Sequence, residues 1–247
     1  SRNRVEGFRK AIEDAGVRLV SSIEELKDLD AYFLENVDGR QHADRFEKLA
    51  RFGKPVFVDK PFVCSMRDAR RMVTLSQQQG APVFSTSSIR YAAGIGDMVP
   101  GEGQNVKGCE AFGPMGFLED FPSYFWYGIH SADVLFSKMG RGCREVRVVA
   151  QAESDLLVGI WEDGRIGMIR GNRYGNNQFG CVIWTEKQVM TGLAAAQPPY
   201  YALLLQRVME FFRTGRSPVM IEETLEVVAF LEAAEQSRVR NGEPIRL

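Results

Sequence analysis

Histidine is scarce in this chain: His42 and His130 are the only two among 247 residues. Four cysteines, Cys64, Cys109, Cys143 and Cys181, lie far apart and form no CxxC pair. A zinc site would need scattered ligands, so no metal is expected. Thiols so spaced read as free, which points to a reducing, cytoplasmic setting. An excess of either charge is missing too. With 31 Lys+Arg against 32 Asp+Glu, nothing favours nucleic acid or an anionic membrane as partner. No apolar run approaches the ~18–20 residues of a membrane span, and no signal-peptide pattern opens the chain. A complete dinucleotide fingerprint is also lacking. Gly94-Ile95-Gly96 and Gly101-Glu102-Gly103 each stop at two glycines, and neither sits between a buried strand and a helix. Both read as parts of a flexible junction.

What is present is a globular balance, 45% hydrophobic and 26% charged, with a pattern that changes along the chain. Apolar residues at helical spacing (Val5, Phe8, Ile12, Ala15) precede Gly16, and the short run Val17 to Val20 predicts a strand. Ser22 with Glu25 forms a capping-box pattern. Buried strands are expected at 31–34, 55–58 and 82–85. Between them lie helices, one carrying Phe46, Leu49 and Ala50 and one capped by Ser65 and stopped by Gly80. Such alternation makes a parallel sheet covered on both faces. Beyond a glycine-rich junction at 91–108, strands are expected at 106–112, 144–153, 155–161, 164–170 and 178–185, with Glu162-Asp163-Gly164 as a hairpin turn. Helices over 199–214 and 221–241 close the chain. The expected domains are therefore 1–90, an α/β parallel-sheet domain, and 91–247, an α+β domain with a large, mostly antiparallel sheet.

Two segments carry chemistry. Val56-Phe57-Val58-Asp59-Lys60-Pro61 places an amine at the carboxyl end of a parallel strand, where open α/β sheets bind ligands. Pro61 restricts Lys60 to extended backbone, which aims the amine. A lysine beside a cationic ring could shed its proton and act as a base. In the run from Ser123 to Phe136, read as one helix, Trp126, His130 and Asp133 fall on one face. His130 could move a proton, or could simply be a core residue bonded to Asp133.

Together these segments resemble the glucose–fructose oxidoreductase / inositol dehydrogenase (Gfo/Idh/MocA) family. Asp59-Lys60-Pro61 resembles its Glu-Lys-Pro motif, and Gly128-Ile129-His130 with Asp133 resembles its catalytic helix. The runs Ser217-Pro218-Val219, Glu222 to Ala229 and Ala233 to Ser237 are similar to its ending. The resemblance implies a Rossmann-like first domain, NAD or NADP as cofactor, and hydride exchange with a sugar, cyclitol or related polyol. It also implies a homo-oligomer formed through the C-terminal sheet.

By the same resemblance Lys60 and His130 are the catalytic residues. Asn36, His42, Asp59, Lys60, Pro61 and Arg90 lie by the cofactor. Lys60, Trp126 and His130 are expected on the substrate side, and Tyr124, Arg173 and Tyr174 are added from their polar side chains as substrate-wall residues, each of which could equally be a surface or packing residue. Asp59 replaces the family's Glu, and Trp126 replaces an Asp often found one turn before the histidine. That second change motivates an alternative, a non-catalytic cofactor- or sugar-sensing regulator on the same fold. The family's opening strand, GxGxxG turn and ribose-binding acid have no counterpart in the sequence, so the Rossmann domain is expected to be incomplete at its N-terminus.

Overall fold

The computed structural model describes residues 2–247, with side chains from residue 5 onward. By packing it divides into two compact units, 1–30 and 31–247. In the first, α1 (Arg2–Asp14) carries a Lys10–Asp14 ion pair one turn apart, and Gly16 ends it at φ +82°. A 3-10 turn (Ile23–Leu26) follows, with Glu25 Oε1 accepting from the Ser22 backbone N–H at 3.1 Å. The run Val17 to Val20 is not a strand. A ladder needs a neighbour for its N–H and C=O groups, and among the described residues none pairs with this run.

The second unit holds two sheets. β1 (Tyr32–Leu34), β2 (Val56–Val58) and β3 (Val83–Ser85) form a parallel sheet in that order. β2 and β3 are buried throughout, as expected of strands covered on both sides. Between the strands run α2 (His42–Ala50) and α3 (Met66–Gln79). The Ser65 hydroxyl caps α3 by accepting from the Asp68 N–H, and Gly80 ends it in the left-handed region at φ 59°. Phe57 and Phe84 pack against Leu204, Val208 and Phe211 of α6 (Tyr200–Thr214), so the closing part of the chain covers the small sheet.

The larger sheet is built from β4 (Val106–Pro114), β5 (Cys143–Ala150), β6 (Ser154–Trp161), β7 (Ile166–Asn172), β8 (Gly180–Thr185), β9 (Val189–Leu193) and β10 (Ile245–Arg246). Their order is β10-β5-β6-β7-β4-β8-β9, and every pairing is antiparallel except β4 with β7. One face lies on α5 (Gly128–Met139) and α7 (Ile221–Val239).

Three differences from the sequence reading have physical causes. The helix expected over 123–136 is two helices, α4 (Ser123–Trp126) and α5, because Tyr127 leaves helical geometry at φ −123°, ψ −29°. Strand β9 was not expected, since Gly192 weakens its strand pattern. A Cβ on Gly192 would lie 1.9 Å from the Gly94 carbonyl oxygen, so the close approach requires glycine. For the same reason the stretch around Gly94 is a packed turn rather than a flexible junction. Ala195 N–H donates to the Ala93 carbonyl beside it at 2.9 Å.

Candidate active site

The carboxyl ends of β2 and β3 and the start of α5 converge on one cleft. Lys60 leaves β2 just before a cis peptide to Pro61. The loop after β1 lies directly on that proline: a Cβ on Gly39 would come within 2.7 Å of Pro61 Cγ. His42 fixes the loop. Fully buried, its Nδ1 faces the Phe62 carbonyl at 3.0 Å and its Nε2 the Asn36 carbonyl at 2.7 Å. With both ring nitrogens taken, His42 positions Asn36 and the residues after Pro61, and has no ring atom left for a ligand.

Lys60 is half-buried, and its Nζ lies 5.6 Å from the centre of the Trp126 ring. Among the described residues it makes no hydrogen bond and no ion pair within 4 Å. Burial pushes its pKa down from the usual lysine range, against the opposing charge of Asp59. The Asp59 carboxyl is itself raised by burial. Beside it, Glu35, an exposed residue at the end of β1, has its carboxyl pushed up to about 7 by desolvation and by Asp59.

His130 faces the same cleft. Its Nδ1 is 2.7 Å from Ser87 Oγ, and its ring lies edge-on to Tyr127 and Phe179 at 5.5 and 5.4 Å. Burial, followed by the neighbouring Lys60 charge, lowers its pKa to about 3, so the ring is neutral near neutral pH. Asp133 does not bond His130, contrary to the structural reading of the sequence. Its Oδ2 accepts from the Thr86 hydroxyl at 2.7 Å and the Ser87 N–H at 2.9 Å, so it holds His130 at one remove, through Ser87.

Arg90 is committed elsewhere. It donates to both Asp133 carboxylate oxygens, at 3.1 and 3.0 Å, and pairs with Glu223. It therefore ties the 3-10 turn Ser88–Tyr91 to α5 and α7 and does not reach into the cleft. Two of the expected wall residues are also drawn away. Tyr124 is fully buried, with its hydroxyl on Asp155 at 2.7 Å, and Arg173 donates to the same carboxylate at 2.8 Å. Tyr174 is exposed on the surface.

Ser87 and Tyr201 carry no sequence signal of their own. Tyr201, in the first turn of α6, stands beside Ser88 and within the fields of Asp59, Glu35 and Tyr127. A cavity of about 20 Å³ lies behind Lys60, lined by Ser85, Thr86, Ser87, Asp133 and Thr224 among others. That is room for one water with several polar partners.

The arrangement suits the nicotinamide end of a dinucleotide. The Asp59 carboxyl, which burial keeps hard to ionise, and the neighbouring Glu35 carboxyl would be relieved by a cationic ring, and the contact at Gly39 keeps the loop low over the strand ends. Asn36, Asp59, Lys60 and Pro61 lie where they could hold such a ring.

Residues 2–87 match the model of the Gfo/Idh/MocA oxidoreductase family with its NAD-binding Rossmann fold. None of the curated proteins matches the chain. Solved structures with the same fold include the WlbA dehydrogenase of Bordetella pertussis in complex with NADH and UDP-GlcNAcA. It has a TM-score of 0.74 at 19% identity, over 98% of this chain and 87% of that one. A scyllo-inositol dehydrogenase of Lactobacillus casei gives 0.77 at 15%, over 97% and 86%. An aldose-aldose oxidoreductase of Caulobacter crescentus gives 0.73 at 17%, over 98% and 89%. The motif around Lys60 lies inside the segment that matches the Gfo/Idh/MocA oxidoreductase family, and the rest of the chain shares the fold of these solved dehydrogenases.

Proposed function

We propose that the chain exchanges hydride between a nicotinamide cofactor and a secondary alcohol of a sugar, cyclitol or related polyol, with Lys60 and His130 as its catalytic residues. The observation that carries this reading is Lys60 itself: a half-buried amine with lowered pKa, free of any ion-pair partner, facing the same cleft as His130. The cofactor, when bound, supplies the hydride acceptor or donor. Lys60 Nζ takes the hydroxyl proton as hydride leaves the carbon, and returns it in the reverse direction. Ser87 occupies His130 Nδ1, which leaves Nε2 for a substrate hydroxyl. Trp126 presents an apolar ring that can stack on the C–H face of a sugar and excludes water from Lys60.

The substrate class rests on the enzymes that share the fold, which act on an inositol and an aldose or are solved with a nucleotide-sugar acid. We also infer a homo-oligomer. The face of the large sheet turned away from α5 and α7 carries Val149, Ile166 and Val189, all more than half exposed. Apolar faces of that kind are usually covered by a second copy. The test of the activity is Lys60→Met in the complete protein, assayed with NAD and NADP against a panel of inositols and sugars. Loss of turnover with cofactor binding retained is expected; undiminished turnover would exclude the assignment.

A further inference from the structure

A second cleft, of about 410 Å³, opens outside the candidate active site, with Tyr91, Met98, Val99, Val106, Lys138 and Arg207 among its walls. We propose that it is a binding site for a small organic anion, a carboxylate carried on a compact apolar body. Its volume is that of a small-molecule site, and its chemistry divides in two. Met98, Val99 and Val106 supply apolar walls. Lys138 and Arg207 supply positive charge.

The Lys138 ammonium donates to the Ile95 and Met98 carbonyls, at 2.7 and 3.1 Å, which leaves one of its three protons free. Arg207 makes no hydrogen bond or ion pair among the described residues, so its planar donor fork is available to a carboxylate. The acids nearby offset this charge only in part. Asp133 and Glu223 are held by Arg90, and Asp97 accepts from the Gly94 N–H at 3.3 Å while it faces Lys138. An unpaired guanidinium and a partly satisfied ammonium over apolar walls select an anion with a hydrophobic body.

The walls are shared with the first site. Tyr91 ends the 3-10 turn that begins next to Ser87. Lys138 is two turns beyond His130 on α5, and Arg207 is less than two turns beyond Tyr201 on α6. An occupant therefore presses on the three segments that position Ser87, His130 and Tyr201.

The test needs no catalytic assay, so its failure is independent of the function proposed above. The full chain, labelled at its methionine methyls, is titrated with benzoate, with neutral benzamide and with inorganic phosphate. A saturable shift of the Met98 methyl with benzoate is expected at a Kd of about 1 mM, as befits so small a ligand. Benzamide and phosphate should each bind at least about tenfold more weakly. Arg207→Gln, on an exposed helix position that leaves folding intact, should weaken benzoate about tenfold, and Arg207→Lys, which keeps the charge but loses the fork, should weaken it by a smaller factor. Benzamide or phosphate binding as tightly as benzoate, an unmoved Met98 methyl, or an unaffected Arg207→Gln would each overturn the proposal.

Discussion

Two polar clusters in this protein are treated in opposite ways. Around Asp155, in β6, the carboxylate is fully engaged. The fully buried carboxylate receives the Tyr124 hydroxyl, the Arg173 guanidinium and the Gln151 N–H, at 2.7, 2.8 and 3.2 Å. The guanidiniums of Arg173 and Arg238 lie over the ring of Phe117, at 4.5 and 4.8 Å. Around Lys60 the amine has an aromatic ring, an imidazole and no ion partner at contact distance. A buried carboxylate with three donors on it has little capacity left for a ligand and acts as a structural clamp. A desolvated amine without a partner is costly to the fold, and that cost is retained where the chain needs its proton to be mobile.

Breaking either cluster should have opposite consequences. The largest effect is expected for Asp155→Ala, which strands two arginines and a phenol. Unfolding by denaturant should show a loss of about 3–5 kcal/mol. Lys60→Met is its mirror image: the same unfolding curve should move little, while turnover falls by about 10²–10⁴-fold. If Asp155→Ala spared stability, or Lys60→Met lowered it as much, the contrast would fail.

His130 sharpens the comparison through pH. Its pKa falls from 6.5 in the unfolded chain to about 3 in the folded one. Between those values the unfolded state binds the extra proton, so stability rises with pH and is lost as pH drops below about 6.5. By pH 5 the loss from this residue alone should reach about 2 kcal/mol. Denaturant curves at pH 7 and pH 5 should show that difference in the native chain and a smaller one in His130→Gln. The smallest effect concerns Ser87→Ala. Removing the Nδ1 contact should cost turnover about tenfold, one hydrogen bond's worth, and shift the pH profile of the reaction.

The positions of Lys60 and His130 could be read before the fold. Lys60 and His130 stand in motifs whose local sequence dictates their placement: a strand that ends in Lys-Pro, and a histidine near the start of a buried helix. The paired residues could not be read in the same way. Tyr124 and Arg173 are polar, which suggested a substrate wall. Their partner Asp155 lies on a strand 31 residues from Tyr124, and only the register of β6 with β7 brings it there. Arg90 was assigned to the cofactor for the same kind of reason and is claimed by Asp133 and Glu223, 43 and 133 residues away. Ser87 and Tyr201 went unseen because serine and tyrosine are common, and because three separate segments place them at the cleft.

The strand order of the large sheet also bears on how the chain reaches its native state. β4 sits between β7 and β8, so both of its neighbours are made some 50 or more residues after it. On a ribosome, β4 would emerge with two open edges and wait for β7 and β8 before its ladders could close. Pairings of that sequence separation form slowly, and an exposed strand is open to wrong partners while it waits. Aggregation during synthesis, rather than instability of the finished fold, is therefore where substitutions in residues 106–114 should be felt first.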